Sequence, residues 1–491
     1  MKGRENHCQR GPLVGNKWLA GLVLIALLLA GGGAGPVVAV SVGASGLAPV
    51  GQAATMATAR GSATWFRIRT DLSNSADVDS GYPGVATDSG GDYVAVAWTE
   101  GYDSSEEAKH HGWVYLRWVS ENSGVWSPKI SVDEGTPGAD YWATDVAVAI
   151  EDTSPPTAHI VWVRYETAYG YSVRYRACRL DGSSCGSSSV YLLKGPTDQV
   201  LASTDIAVDS SGRLFAVWMR VIEARFKQAI DYAENGGPGW SSAVEISQSN
   251  TFNDWPVVAV RGDKVYTAWV NSVVGEGKVM YRTKPVGGGW SGMDFVYTVS
   301  SSRYPDLVAE QGTVFLVWET LVSSSNYRVR YKNDDGTGWE PAGTNVSKAI
   351  TDTTSLYKAT TSGVEYLEYL RPALALGGDG VLHAVWHHYV PPAGEGDPVL
   401  HRVLYSASDS PTAASPTWSE PVVFATLSAE GEAFSQDNVA ARVVVGPPRG
   451  GQVDPHIHVI LMLRTGTAWD VWYLSNKRYN TTSMPIIMKN R

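Results

Sequence analysis

Along most of the chain, apolar and polar residues alternate in short runs separated by turns rich in Gly, Asp and Asn. One set of runs ends in tryptophan: YVAVAW at Trp98, AHIVW at Trp162, LFAVW at Trp218, VYTAW at Trp269, VFLVW at Trp318 and LHAVW at Trp386. A seventh copy, HIHVIL, carries Leu461 where the others have Trp. Successive copies lie roughly 50 to 75 residues apart, a spacing in the range of repeat architectures. Each follows another alternating run: PGVATD (83–88), TDVAVAI (144–150), TDIAVD (204–209), PVVAV (256–260), PDLVAE (305–310), PALAL (372–376) and DNVAARVVV (437–445). Third runs carry Tyr and Arg, as in VRYRACR (173–179) and VMYRTK (279–284), and fourth runs begin at Trp126, Trp240, Trp290, Trp339 and Trp418. Alternation with period two between turn signals predicts antiparallel strands throughout, and no segment reads as a helix.

The pattern therefore predicts an all-β chain forming a single β-propeller. Its blades are four-stranded and antiparallel, seven by this register; one misread segment would make six or eight. The last copy lacks a fourth strand after DVWYLSN (470–476). The segment from Thr64-Trp65-Phe66-Arg67-Ile68 to Ser73 reads like the fourth strands elsewhere. An N-terminal strand that completes the last blade would close the ring and cover its edges. The propeller is thus expected over 62–480, preceded by a linker (45–61) and followed by a tail (481–491).

Residues 1–44 have the composition of an export signal. A net-basic stretch (Lys2, Arg4, Arg10, Lys17) precedes the apolar run Trp18 to Ala30, and Val42 and Ala44 suit a cleavage site after Ala44. Left uncleaved, the same segment would serve as an N-terminal membrane anchor. The expected location is secreted or at the cell surface, with the membrane touched only through that segment. Cys178 and Cys185 are then the only cysteines of the mature chain, flanking a turn, and an oxidising compartment would join them in a disulfide. No metal or cofactor is implied, since no second cysteine pair or suitably spaced His accompanies them. The formal charge of −10, without a basic run beyond the N-terminus, argues against nucleic-acid binding. The chain holds 19 Trp and 24 Tyr against 8 Phe. Aromatics with a polar handle serve both sugar-binding surfaces and packing between sheets.

Before the fourth strand, Asp334-Asp335-Gly336-Thr337-Gly338-Trp339 follows D-x-G-x-[TG]-W, with Asn235-Gly236-Gly237-Pro238-Gly239-Trp240 a looser version. A short Asp or Asn side chain accepts backbone N–H bonds across such a turn, and Gly supplies positive φ. The motif resembles the Asp box, or BNR repeat, of the sialidase-like propellers, although the leading Ser is absent. The resemblance implies a propeller fold and a structural role for the turn on the outer edge.

In a propeller the starts of first strands and the ends of second strands meet on one face around the central channel. There the repeat places Tyr82, Trp142, Trp255, Tyr304 and Arg371 from the starts, and Glu100, Asp103, Arg164, Arg220, Glu319 and His387 from the ends. Aromatic faces among charges of both signs suit a carbohydrate. The leading expectation is an exported, monomeric propeller binding glycans or another surface polymer. A sialidase-type hydrolase is the alternative that the resemblance implies. It would use three arginines (Arg164, Arg220 and Arg371 as substitutes), Glu100 or Asp103 as acid, and Glu319 beside a tyrosine. The family's Arg motif is not matched, because Phe66-Arg67-Ile68-Arg69 lacks the proline and falls on a fourth strand. A protein-interaction scaffold is a third reading. His387 and His388 also lie near His383, His401, His456 and His458 in sequence register, on the last two repeats.

Overall fold

The computed structural model describes most of residues 68–476; 1–67, 74–78, 103–109, 134–140, 340–347, 356–370, 391–398, 430–440, 447–455, 477–491 and shorter breaks lie outside the description. The described chain is all-β, with seven four-stranded antiparallel blades arranged as a propeller. The closing strand β1 is Ile68–Asp71. Blade 1 comprises β2 (Asp79–Thr87), β3 (Tyr93–Tyr102), β4 (His110–Ser120) and β5 (Ile130–Asp133). Blade 2 comprises β6 (Tyr141–Glu151), β7 (Thr157–Glu166), β8 (Gly170–Arg179) and β9 (Val190–Lys194). Blade 3 holds β10 (Gln199–Val208), β11 (Leu214–Ile222), β12 (Lys227–Asn235) and β13 (Val244–Glu245). Blade 4 holds β14 (Phe252–Arg261), β15 (Lys264–Val273), β16 (Glu276–Pro285) and β17 (Asp294–Tyr297). Blade 5 is β18 (Ser302–Glu310), β19 (Thr313–Ser323), β20 (Asn326–Asp334) and β21 (Lys348–Ala349), with the short β22 (Thr354–Ser355) also on β20. Blade 6 is β23 (Ala373–Leu376), β24 (Leu382–Val390), β25 (Val399–Ser408) and β26 (Val422–Ala429). Blade 7 contributes β27 (Arg442–Gly446), β28 (His456–Thr465) and β29 (Ala468–Ser475), and β1 pairs with β29 as its fourth strand.

This closure is the one that the missing fourth strand predicts. Ser73 fixes it: its Oγ donates to Asp470 (3.1 Å) and accepts the Val471 N–H (3.1 Å), while Leu72 enters the apolar layer between blades 7 and 1. The first strands touch in order from β2 through β6, β10, β14, β18, β23 and β27 back to β2, so they line the centre of the ring.

Period-two alternation has a direct physical cause here. Each sheet is radial, with both faces covered by neighbouring blades, so successive residues enter different apolar layers. Ile160 and Trp162 pack toward blade 1, whereas Val161 and Val163 pack toward blade 3. Seven such clusters fill the seven junctions, and the six repeat tryptophans are essentially solvent-free at 1% exposure or less. Leu461 takes the Trp position in blade 7 and is equally buried.

A second repeated device joins the blades near the outer turns. The third-strand tyrosine of one blade meets the fourth-strand tryptophan of the next edge-on in five pairs: Tyr175–Trp240, Tyr232–Trp290, Tyr281–Trp339, Tyr331–Trp418 and Tyr473–Trp126. Ring centroids are 4.8–5.3 Å apart and the planes cross at 68–87°, the arrangement that aromatic quadrupoles favour. Blade 2 departs from the pattern. Cys185 pairs with Cys178 as Trp126 does with Val119 and Trp240 with Asn235, so a disulfide occupies the place of the tryptophan. The facing position in blade 1 holds Leu116 instead of tyrosine, and it packs in the cluster that includes this disulfide.

The turn motif behaves as its residues suggest. Asp334 Oδ1 accepts the N–H groups of Gly336 (2.8 Å) and Gly338 (3.0 Å), both at positive φ, and Asn235 Oδ1 accepts that of Gly237 (3.2 Å).

Candidate functional site at the channel mouth

The inner strands of blades 1 to 5 begin with the same irregularity. Between Gly81 and Gly84, Thr144 and Ala147, Ala202 and Asp205, Asp254 and Val257, and Arg303 and Asp306, one extra residue interrupts the pairing with the second strand. In every case the residue after the last paired one is left-handed: Tyr82 (φ 49°), Asp145 (52°), Ser203 (53°), Trp255 (51°) and Tyr304 (48°). Arg371 (φ 42°) holds the same offset in blade 6, two residues before Ala373. A bulky L-residue pays about 1–2 kcal/mol to adopt this conformation, and bulges re-aim side chains next to functional sites. Six blades thus present one side chain each from a strained position around the channel.

Three of these side chains form a continuous row across blades 4, 5 and 6. The Trp255 and Tyr304 rings lie 4.4 Å apart at 46°. The Arg371 guanidinium sits 4.6 Å over the Tyr304 ring and donates to its hydroxyl at 3.4 Å. All three are half-buried, so each keeps surface available to solvent. Such a row offers an aromatic face beside a fixed cation with several N–H donors.

One step further along each inner strand is a second level. Gly84, Ala147, Asp205, Val257, Asp306, Ala373 and Arg442 are equivalent, since each pairs with the residue just before the repeat Trp, or before Leu461 in blade 7. Asp205 feels the charges of Asp306 and Arg442, and Asp306 feels that of Arg442. Asp205 accepts the Val258 N–H of blade 4 (2.8 Å) and the Ile206 N–H (2.9 Å), and Asp306 accepts the Leu374 N–H of blade 6 (2.7 Å). Enclosure by the blades pushes the Asp205 carboxyl up to about 7, with Asp306 adding to the rise and the hydrogen bonds and Arg442 opposing it. Burial raises Asp306 as well, against the pull of Arg442.

The sequence-derived residues divide. Tyr82, Trp255, Tyr304 and Arg371 occupy equivalent mouth positions, and the last three are in contact. Trp142 belongs to a separate aromatic group on blade 2, stacked on Tyr165 at 4.0 Å and edge-on to Tyr171 at 6.4 Å. The two remaining arginines are engaged elsewhere. Buried Arg164 pairs with Asp133 and Glu166 (2.8 Å each), and Arg220 grips Asp231 (2.6 and 3.0 Å) and Glu245 (3.2 Å). Glu100 is buried, accepting from Trp98 Nε1 (3.2 Å) and Lys129 Nζ (2.8 Å). Glu319 and His387 are buried too, and Asp103 lies outside the described residues. Three described histidines of the last blades are engaged inside the fold: His383 bonds Tyr405 (2.8 Å), His458 bonds Tyr473 (2.6 Å) and His456 pairs with Glu121 (3.2 Å). Sequence reading missed Asp205, Asp306 and Arg442. The available signal was an acid at one register in TDIAVD and PDLVAE, aligned with an arginine in AARVVV.

No protein-family model matches the chain, and no curated protein matches it. Several solved structures are similar to it at low identity. A protein of unknown function from Dyadobacter fermentans aligns at TM-score 0.48 and 9% identity, covering 84% of this chain and 98% of that one. An oligogalacturonate lyase in complex with manganese aligns at 0.46 and 10%, covering 83% and 92%. Trypanosoma rangeli sialidase aligns at 0.39 and 8%, covering 81% of this chain and 54% of its own.

Proposed function

We propose that the protein is an exported propeller that binds glycans, or another surface polymer rich in hydroxyls, at its channel mouth. The observation that carries this reading is the Trp255–Tyr304–Arg371 row. A pyranose ring presents apolar C–H groups on one face and hydroxyls at its edge. The aromatic surfaces match the first, and the Arg371 N–H donors match the second. Trp255 and Tyr304 lie on inner strands and Arg371 directly precedes a third, which fixes the row better than long loops would.

Binding is favoured over hydrolysis because Arg164 and Arg220 are already paired with carboxylates, leaving Arg371 as the arginine of the set beside the aromatic row. Export by a signal in 1–44 would bring the chain to extracellular carbohydrate, and the net charge of −10 disfavours nucleic acid. Retention of the protein on a glycan array, abolished by Trp255→Ala, tests the reading.

A further inference from the structure

One carboxylate stands beneath Tyr304 of the row and a second at the same level in neighbouring blade 3, and each reaches across a blade boundary. Asp306 lies two residues after Tyr304 in β18 and accepts the N–H of Leu374, three residues after Arg371 in β23. Asp205 lies two residues after Ser203 in β10 and accepts the N–H of Val258, three residues after Trp255 in β14. Inner strands have an unpaired edge facing the channel, so these bonds tie one strand edge to the next blade. One ties blade 3 to the strand bearing Trp255. The other ties the strand bearing Tyr304 to the strand bearing Arg371.

We propose that Asp205 and Asp306 are positioning residues for the Trp255–Tyr304–Arg371 row, and that their charge state sets where the strands carrying Trp255 and Arg371 sit. This rests on the row being the ligand platform. A carboxylate holds an N–H more strongly than a neutral carboxyl does. Two ionised acids at one level of the channel, however, repel each other with one arginine, Arg442, between their demands. At that level the other inner strands contribute Gly84, Ala147, Val257 and Ala373, none of them ionisable, and β11 places Val217 opposite Asp205. Among the described residues at the mouth above, the left-handed positions carry the charges of Asp145 of β6 and Arg371, and the neighbouring positions those of Asp254 of β14 and Arg303 of β18. The Asp205 carboxyl titrates near 7, so the level changes charge close to neutrality.

The test reads the row directly. The protein is labelled with 5-fluorotryptophan, and the Trp255 resonance is assigned by its disappearance in Trp255→Phe. The expected result is a fluorine shift with a midpoint near pH 7, absent in Asp205→Asn and moved to lower pH in Asp306→Asn, where the facing negative charge is gone. Asp205→Asn keeps an oxygen acceptor for Val258 and so preserves the strand contact without the titration. A Trp255 resonance that is invariant with pH, or that keeps its midpoint in Asp205→Asn, overturns the proposal. Glycan-array retention is scored on the same samples. Titration without any glycan retained supports the positioning role while removing the glycan reading. Trp255-dependent retention with an invariant resonance removes the positioning role alone.

Discussion

The Tyr232 ring of blade 3 meets the Trp290 ring of blade 4 edge-on, with centroids 4.9 Å apart and planes at 87°. The Tyr232 hydroxyl donates to Glu234 at 2.5 Å, and Lys284 of blade 4 returns to Glu234 at 2.8 Å. An aromatic contact and an ion pair therefore cross the same junction. Truncating Trp290 to Ala is expected to destabilise the fold by about 2 kcal/mol, less than a fully buried Trp because this ring is only half-buried. A double-mutant cycle with Tyr232→Ala should give a coupling of about 1 kcal/mol by chemical denaturation. Additive losses would show that the edge-on contact contributes nothing of its own.

The disulfide stands where other blades carry that tryptophan, so blade 2 depends on it. Closing a loop of this size is worth about 2–3 kcal/mol in chain-entropy terms. Reduction should lower the melting temperature of the wild type and leave a Cys178→Ala/Cys185→Ala variant unaffected. An unchanged wild-type melting curve under reductant would remove the disulfide from the account of the blade 1–2 junction.

A glycine marks one close approach of neighbouring blades. A Cβ at Gly277, at the start of β16, would stand 2.3 Å from the Ser302 carbonyl oxygen of the next blade, whereas Gly289 has no atom near enough to obstruct one. Gly277→Ala should cost about 1–3 kcal/mol through displaced backbone, and Gly289→Ala should be close to neutral. Equal denaturation midpoints for the two variants would refute the close packing of β16 on β18.

Asp205 gives stability a pH dependence whose sign follows from its shift. Its carboxyl titrates near 7 in the folded ring and near the ordinary aspartate value of 3.8 when unfolded. The folded state therefore binds the proton more tightly, and its contribution is full below about pH 4 and is lost as pH rises toward 7. Thermal melting across pH 4.5–8 should show this decline in the wild type and a flatter profile in Asp205→Asn. A wild-type profile no steeper than that of the variant would contradict the shift.

Much of the fold is legible in the sequence because the blades repeat a single packing problem. Trp98 through Trp386 mark the second strands, since each ring fills a junction of the same size, and the missing fourth strand after β29 predicts the closure made by Ile68 to Ser73. The site is less legible. Strand-end position selects Trp255, Tyr304 and Arg371, which the fold brings into contact, but it selects Glu100 and Arg164 by the same rule. Those two lie two residues after the repeat Trp, on its face of the sheet, so they enter the inter-blade layer and bond Lys129 and Asp133 there. Alternation alone cannot separate a residue at a strand end from one folded back under the tryptophan. Asp205 and Asp306 are hidden for another reason. The extra residue at each bulge resets the alternation, and nothing in TDIAVD or PDLVAE announces a left-handed residue two positions earlier.

If the Trp255–Tyr304–Arg371 row is a glycan-binding platform, equilibrium retention on a glycan array depends on its two rings. Wild type, Trp255→Ala, Tyr304→Ala and the distant control Trp113→Ala, whose ring is 41% exposed on blade 1, would be compared on one array. The expected result is a retained class of glycan whose binding falls about tenfold or more in Trp255→Ala and Tyr304→Ala, the equivalent of about 1.4 kcal/mol, and is unchanged in Trp113→Ala. Retention that is indifferent to Trp255 and Tyr304, or no retention of any glycan by the wild type, would contradict it.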